Sequence, residues 1–405
     1  LLDLIRTLDP ANGLARQWRV SPPPVTDPPL WSLAVDIGGL AVRGRTEEDY
    51  PVHTVGAYGV SRTDTMSRAA GEAVERFALF PREHGPEART ATAAELGEHA
   101  FDFARYRLGD PAAAGERLRW YRGRWLDTGQ PVWLPAGLVD YPVAEEWFDP
   151  TPSGAAAGPS EEFALRAAML ELIERDAVGI AWAAELTLQE YDVEAELALA
   201  RPGADWRHLA RLHRWALNHG LRPRLLRVPG PPGLHCVLAA VLDGPSLGAV
   251  GAKAHPDPGR ALLVALQESL QIRDALRKLR AGWGGGVPEV VRDDLDRARL
   301  WLTEPAAAEL ARRLRDLPPV PPGAPAPEPV DLLSTVVRDG GRPAVVDLTG
   351  RLPEAHRVMG WHAVKVVVAG YQALRMDERC EFTWQRERLV RAGARTPNPF
   401  PHPLI

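Results

Sequence analysis

The stretch "GAAAGPSEEFALRAAMLELIERDA", residues 154–177, decides how the rest of the chain is read. It opens as a loop of small residues. Ser160 then stands where a helix N-cap belongs, its hydroxyl placed to accept from backbone N–H groups just ahead. The run that follows reads as a long helix with Leu165, Ala168, Met169, Leu172 and Ile173 as core residues. Glu171, Glu174 and Asp176, with Arg175, sit in the same run. Buried carboxylates are costly unless they are paired or bind a cation. Two like charges ~4 Å apart repel by roughly 4 kcal/mol at a moderate effective dielectric. Such a helix needs polar company from elsewhere in the chain.

Outward from this stretch the same pattern returns twice. Glu72 and Glu75 lie in "GEAVERF", among Ala69, Ala70, Ala73 and Val74. Glu268 and Gln271 lie in "ALQESLQIR", among Leu262, Ala265, Leu266 and Leu270. Each pair, like Glu171 and Glu174, is three residues apart and shares one helix face. On any one helix the plain reading is a solvent-facing stripe paired with its neighbouring arginine, and three such helices weaken that reading. Hard oxygen ligands suit magnesium, which commonly serves substrate phosphates. Arg76, Arg175 and Arg273 are placed to offset the charge or grip phosphate oxygens.

Composition narrows the remaining classes. The chain has 405 residues, 45% hydrophobic and 25% charged, which is ample for a large globular core. A net charge of -5 argues against a broad nucleic-acid surface. Two cysteines, Cys236 and Cys380, exclude a disulfide framework or a thiolate zinc site. The first residues are charged too early for a signal peptide, and no apolar run has membrane-spanning length. The expectation is a cytoplasmic protein with no membrane or nucleic-acid partner. "GWGGG" at 282–286 lacks the Lys-Ser/Thr of a P-loop and reads as a flexible loop or a lid. No dinucleotide fingerprint, zincin motif or nucleophile elbow is present. His213 reads as an ordinary helix residue. Lys253 and His255, in the loop before the third polar helix, are candidates for a site or for loop contacts.

The organisation expected is a short helix and proline-rich linker at 1–29, a main region at 30–317, a Pro-rich linker at 318–330 and a C-terminal part at 331–405. "LWSLAVDIGGLAVRGR" at 30–45 reads as a hairpin, and 48–62 as a loop. The first polar helix is expected to start at Asp64 or Thr65. "VEAELALA" reads as a strand and "AVGAKAHPDP" as a loop. "PAVVDLT" and "HAVKVVVAG" read as late strands.

Taken together these segments resemble the YcaO family over about residues 50–405. "GEAVERF" is similar to its first signature, the 154–177 stretch to its second and "AKAHPDPGRALLVALQESLQIR" to its third; "VVDLT" and "VKVVVAGYQAL" resemble its late strands. The resemblance implies an α+β, YcaO-like ATP-binding fold with mixed and antiparallel sheets packed by helices. By motif position it implies Glu72, Glu75, Glu171, Glu174, Glu268 and Gln271 as magnesium or phosphate-site residues, with Arg273 as a phosphate contact. Where the family usually has serine this chain has Arg68, with Ser67 one place off, and both are carried as candidate nucleotide contacts. "AYGVSRTD" replaces a usual Gly-Lys-Gly run, and Ala369-Gly370 a usual Pro-Gly.

The tail "PFPHPLI", with Pro399, Pro401 and Pro403, resembles the proline-rich C-terminus of family members that modify ribosomal peptides. In those the tail reaches toward the active site, and a pre-extended segment costs little entropy to place. The implied chemistry uses ATP and Mg2+ to cyclise Cys, Ser or Thr onto the preceding carbonyl of a ribosomal precursor peptide. The amide oxygen is phosphorylated, and loss of phosphate leaves an azoline. A tail group or His255 is the candidate proton acceptor. The alternatives are peptide thioamidation and a non-catalytic nucleotide- or peptide-binding scaffold. No leader-binding domain is recognisable before residue 50, so the resemblance implies a separate E1-like or ThiF-like partner. A flavin-dependent azoline oxidase and a homodimer are further candidate partnerships.

Overall fold

The computed structural model describes residues 2–38, 54–143, 146–323, 325 and 329–405. Strands β1 (Gln17–Ser21), β2 (Trp31–Asp36) and β3 (Thr54–Gly59) precede the first polar helix, Arg62–Leu79. Strands β4 (Ala88–Ala91), β5 (Leu118–Trp125), β6 (Pro131–Pro135) and β7 (Ala155–Gly158) lead to the second, Glu161–Ala183. Strands β8 (Gln189–Tyr191), β9 (Arg224–Val228), β10 (His235–Leu242) and β11 (Gly248–His255) lead to the third, Pro258–Gly282. Strands β12 (Pro319–Val320), β13 (Arg342–Asp347) and β14 (His362–Ala369) follow.

Among the described residues these strands form three sheets, in orders β1-β2-β3, β4-β5-β13-β14-β7 with β6 on β5, and β11-β10-β9-β8-β12. The β8–β12 pair is parallel and the others are antiparallel, so the fold is α+β with mixed sheets, as expected. The polar helices fill the spaces between sheets. The first lies between β2–β3 and β7–β14. The second lies between β7–β14 and β9–β11, and the third covers β10–β11 and reaches β3. A helix clamped on two sides must be apolar nearly all round. The second helix obeys this, with Ala168, Ile173, Val178, Ala181 and Trp182 buried. Its few polar residues are left for the seams.

β10, "HCVLAAVL", is apolar without alternation because both its faces are covered. Cys236, Leu238 and Ala240 enter one core, while Val237, Ala239 and Val241 enter another. The starts of the three polar helices are capped by side chains, as the residue types require. Ser160 Oγ accepts from Phe163 N–H at 3.2 Å, and Asp257 Oδ1 from Arg260 N–H at 3.0 Å. Among the described residues, no helix is long and apolar enough to cross a membrane.

Four local readings are corrected. The first polar helix is capped by Ser61, whose Oγ accepts from Asp64 N–H at 3.2 Å, so Asp64 and Thr65 lie inside it. The expected loop at 48–62 holds β3 in its described part, and β3 pairs with β2. The second arm of the expected hairpin lies outside the described residues. "VEAELALA" forms the helix Val193–Ala198, because Asp192 caps it and its Glu, Ala and Leu are helix formers. The expected loop at 249–258 is mostly strand β11.

Candidate functional site

The acidic residues of the three helices meet at the seam where β11 and β14 approach the second helix. Glu174 is the most buried, at 2% exposure. Its Oε2 accepts from Ala254 N–H at 3.0 Å and lies 3.4 Å from Lys253 Nζ. Its Oε1 lies 3.4 Å from Arg175, whose guanidinium is also 3.6 Å from Glu171. From the third helix, Glu268 Oε2 accepts from Ala252 N–H at 3.4 Å. β11 is the edge strand of its sheet. Its outward amides at Ala252 and Ala254 thus bind one carboxylate from each of two helices. From the first helix, Glu72 and Glu75 both lie 3.8 Å from Arg76.

The electrostatics confirm one shared field. Burial pushes the Glu268 carboxyl up to about 7, Glu174 adds to the rise, and Lys253, Arg175 and Arg68 oppose it. Burial also raises Glu72 and Glu75, and Glu171 across the seam raises both further while Arg76 lowers them. Lys253 is raised because the pull of Glu174, Glu268 and Glu171 outweighs its burial. These side chains line a recess, since Glu72, Glu75 and Glu171 remain 35%, 21% and 25% exposed. A cavity of about 300 Å³ opens beside Glu72 and Arg76, walled by Gly56, Tyr141 and Asp294.

Two lysines complete the site, and the sequence gives little sign of them. Lys253 was visible only as a candidate beside His255. Lys365 sits within the apolar run of β14, where nothing nearby in sequence hints at its partners. It is buried, and its Nζ donates to Thr151 O at 2.6 Å and Ser153 O at 2.7 Å. Burial lowers it to about 8, against the pull of Glu171 and Glu75.

The other candidates are placed as follows. Arg68 lies 3.2 Å from Asp64 and its charge reaches both Glu72 and Glu268. Ser67 is exposed. Gln271 is half-buried and, among the described residues, has no hydrogen bond to the cluster. Arg273 is buried and paired with Asp243 at 2.7 Å. His255 Nδ1 accepts from Asp257 N–H at 2.9 Å, a turn contact at the end of β11. His213 lies 3.3 Å from Glu194. Asp176, grouped with the glutamates by proximity in sequence, faces elsewhere. It accepts from Gln372 N–H at 2.7 Å and pairs with Arg388. In the tail Pro399 is exposed, Pro401 half-buried and Pro403 buried. Trp182 Nε1 donates to Phe400 O at 2.8 Å, and Pro401 and His402 share a small cavity with Arg175.

The donor set suits a cation together with an oxygen-rich anion. The Glu72, Glu75 and Glu268 carboxyls are raised, chiefly by burial, which a cation would relieve. Arg68 Nη2, Arg76 Nε and Arg175 Nε are buried donors without a hydrogen-bond partner, as phosphate oxygens require. Among the described residues, no three acidic, His or Cys side chains are gathered tightly enough to form a metal cage as they stand. The arginines and Lys253 hold the carboxylate oxygens instead.

Residues 56–372 match a family model described as YcaO cyclodehydratase, ATP- and Mg2+-binding. An uncharacterized protein of Methanothermobacter thermautotrophicus is 27% identical over 237 residues, 56% of this chain and 59% of its own. An uncharacterized protein of Mycobacterium tuberculosis is 32% identical over 195 residues, 45% of this chain and 42% of its own. The chain thus spans about half the length of these curated relatives. Among solved structures, YcaO from Methanopyrus kandleri bound with AMPPCP and Mg2+ is similar at a TM-score of 0.65 and 22% identity, covering 99% of this chain and 93% of that one. A heterocyclase in complex with substrate and cofactor gives a TM-score of 0.73 at 19% identity, covering 99% of this chain and 56% of that one. An E. coli microcin synthetase McbBCD complex gives 0.63 at 15% identity, covering 95% and 96%.

Proposed function

The chain belongs to the YcaO family, and on that footing we propose that it uses ATP and Mg2+ to activate backbone amides of a ribosomally made peptide. The reaction favoured is cyclodehydration of Cys, Ser or Thr to azolines. The observation that carries this reading is the meeting of carboxylates from three helices with arginines that each keep one buried N–H group without a hydrogen-bond partner. Glu72, Glu75, Glu171, Glu174, Glu268 and Gln271 are the residues that would hold Mg2+, which shields phosphate charge during transfer. Arg68, Arg76 and Arg175 would grip phosphate oxygens. Lys253 pairs with Glu174 and helps to hold it in place. The packed proline-rich tail supports cyclisation over thioamide formation, as does the likeness to a heterocyclase. A separate leader-binding partner, as the resemblance implies, is part of this proposal.

The test is mass spectrometry of a synthetic Cys-, Ser- and Thr-containing peptide incubated with the chain, ATP, Mg2+ and an E1-like leader-binding protein. Loss of one water per site supports cyclisation, and exchange of oxygen for sulfur with an added sulfide donor indicates thioamidation. Glu171→Gln should lower turnover by roughly a hundredfold or more while the circular dichroism spectrum is unchanged. Full activity in that variant counts against the site.

A further inference from the structure

The tail does more than lie against the core. Asn398 N–H donates to Ala183 O at 2.7 Å, at the end of the second polar helix. His402 O accepts from Trp301 Nε1 and from Arg297, each at 3.1 Å. These bonds fix the backbone on both sides of Pro401 and bury the His402 ring to 8% exposure.

The ring's protonation follows from its partner. His402 Nε2 lies 2.8 Å from Arg375 O. A carbonyl oxygen only accepts, so Nε2 carries the proton and Nδ1 of the neutral ring holds a free lone pair. Nδ1 is buried and has no hydrogen-bond partner. The cavity lined by His402, Pro401, Trp182, Gln372 and Arg175 measures about 20 Å³, room for a single water. Arg175, another of its lining residues, is the residue that touches Glu171 and Glu174.

We propose that His402 is a tail-borne proton acceptor, joined to the reaction centre by one water in the cavity it shares with Arg175 and made competent by anionic charge arriving at that arginine. This deepens the function proposed above and rests on it. When the peptide's thiol or hydroxyl attacks the carbonyl carbon, the new S–C or O–C bond forms and the side-chain proton passes through the water to Nδ1. The carbonyl electron pair goes to oxygen, which takes the γ-phosphoryl group of ATP and releases ADP. The C–O bond then breaks, the amide N–H proton passes to water as C=N forms, and the imidazolium returns its proton to the departing phosphate.

The charged groups around the ring explain why this base would wait for nucleotide. They are Arg175 from the second helix, Arg297 from the helix Asp294–Leu300, and Arg375 with Glu378 after β14. Glu378 is shared between Arg297 and Arg375. Burial first, and then the arginines, hold the imidazole well below its ordinary value. A polyphosphate at Arg175 would cancel part of that positive field and strengthen the base.

The test is nitrogen-15 NMR of the histidine-labelled full chain, with and without Mg2+ and AMPPCP. The expected result is an Nε2–H tautomer whose titration midpoint moves up when AMPPCP binds. An Nδ1–H tautomer, or a midpoint that stays put while AMPPCP binds, overturns the proposal. Absence of AMPPCP binding by calorimetry would instead overturn the nucleotide reading beneath it. A second arm uses His402→Gln, whose amide N–H keeps the bond to Arg375 O but has no basic nitrogen. With the peptide assay above, kcat should fall by roughly a hundredfold, with melting temperature and AMPPCP affinity unchanged. Imidazole added to His402→Ala should restore part of the loss. Parent-like turnover in His402→Gln, or no rescue, overturns the role.

Discussion

Glu268 shows how much of the site a single residue can report. Its carboxyl is raised from 4.5 to about 7, chiefly by burial and then by Glu174. The unfolded chain releases this proton near 4.5 and the folded chain near 7. Its contribution to stability is therefore complete below the lower value and is lost as pH rises through the upper one. Glu268→Gln removes that loss. Without nucleotide, its melting temperature should gain on the parent's as pH rises from about 5 to about 8, and a difference that stays flat would contradict the assignment. Residue types were the legible part of the site. Glutamates spaced three apart in apolar helices could be read directly, because burying them demands a reason. Lys365 could not be read, because its reason lies with Thr151 and Ser153, far away in sequence. Asp176 was misgrouped because neighbours in a helix point around the axis, and its partners are Gln372 and Arg388.

At the scale of elements, β11 is the least obvious and the most consequential. "AVGAKAHP" looked like a loop because small residues, Gly and Pro dominate it. The small residues serve packing instead. A Cβ on Gly251 would stand 2.4 Å from Ala265 O and 2.4 Å from Ser269 N, so only glycine lets the strand press against the third polar helix. That approach brings Ala252 N–H to Glu268. Gly251→Ala should cost about 1–3 kcal/mol of stability and weaken AMPPCP binding, measured by denaturant unfolding and calorimetry. Unchanged affinity would separate the strand from the site. "VEAELALA" failed in the opposite direction. Its alternation suggested a strand, but the Asp192 cap, whose side chain accepts from Ala195 N–H at 3.0 Å, and its helix-forming residues prevailed.

At the scale of the molecule, helices alternate with sheets, and this layering carries carboxylates from three sequence-distant helices to one seam. Periodicity marks which helices are apolar, but the order of the sheets comes from strand pairing that local sequence does not encode. The tail belongs to the same scale. Removing residues 399–405 would strip partners from Trp182, Trp301 and Arg297, the last fully buried. The truncated chain should melt lower, cyclise far less and keep most of its AMPPCP affinity, since the carboxylate helices remain. Equal loss of cyclisation and affinity would make the tail purely structural. The outward amides of β11 have one last consequence. A bare strand margin is a template on which another polypeptide can grow a fibril. Here Glu174 and Glu268 of the candidate site cover that margin, so the same acids double as a seal against aggregation. Sequence drift that lost those acids would expose the chain to sticking to its own copies, a pressure to keep them whatever else they do.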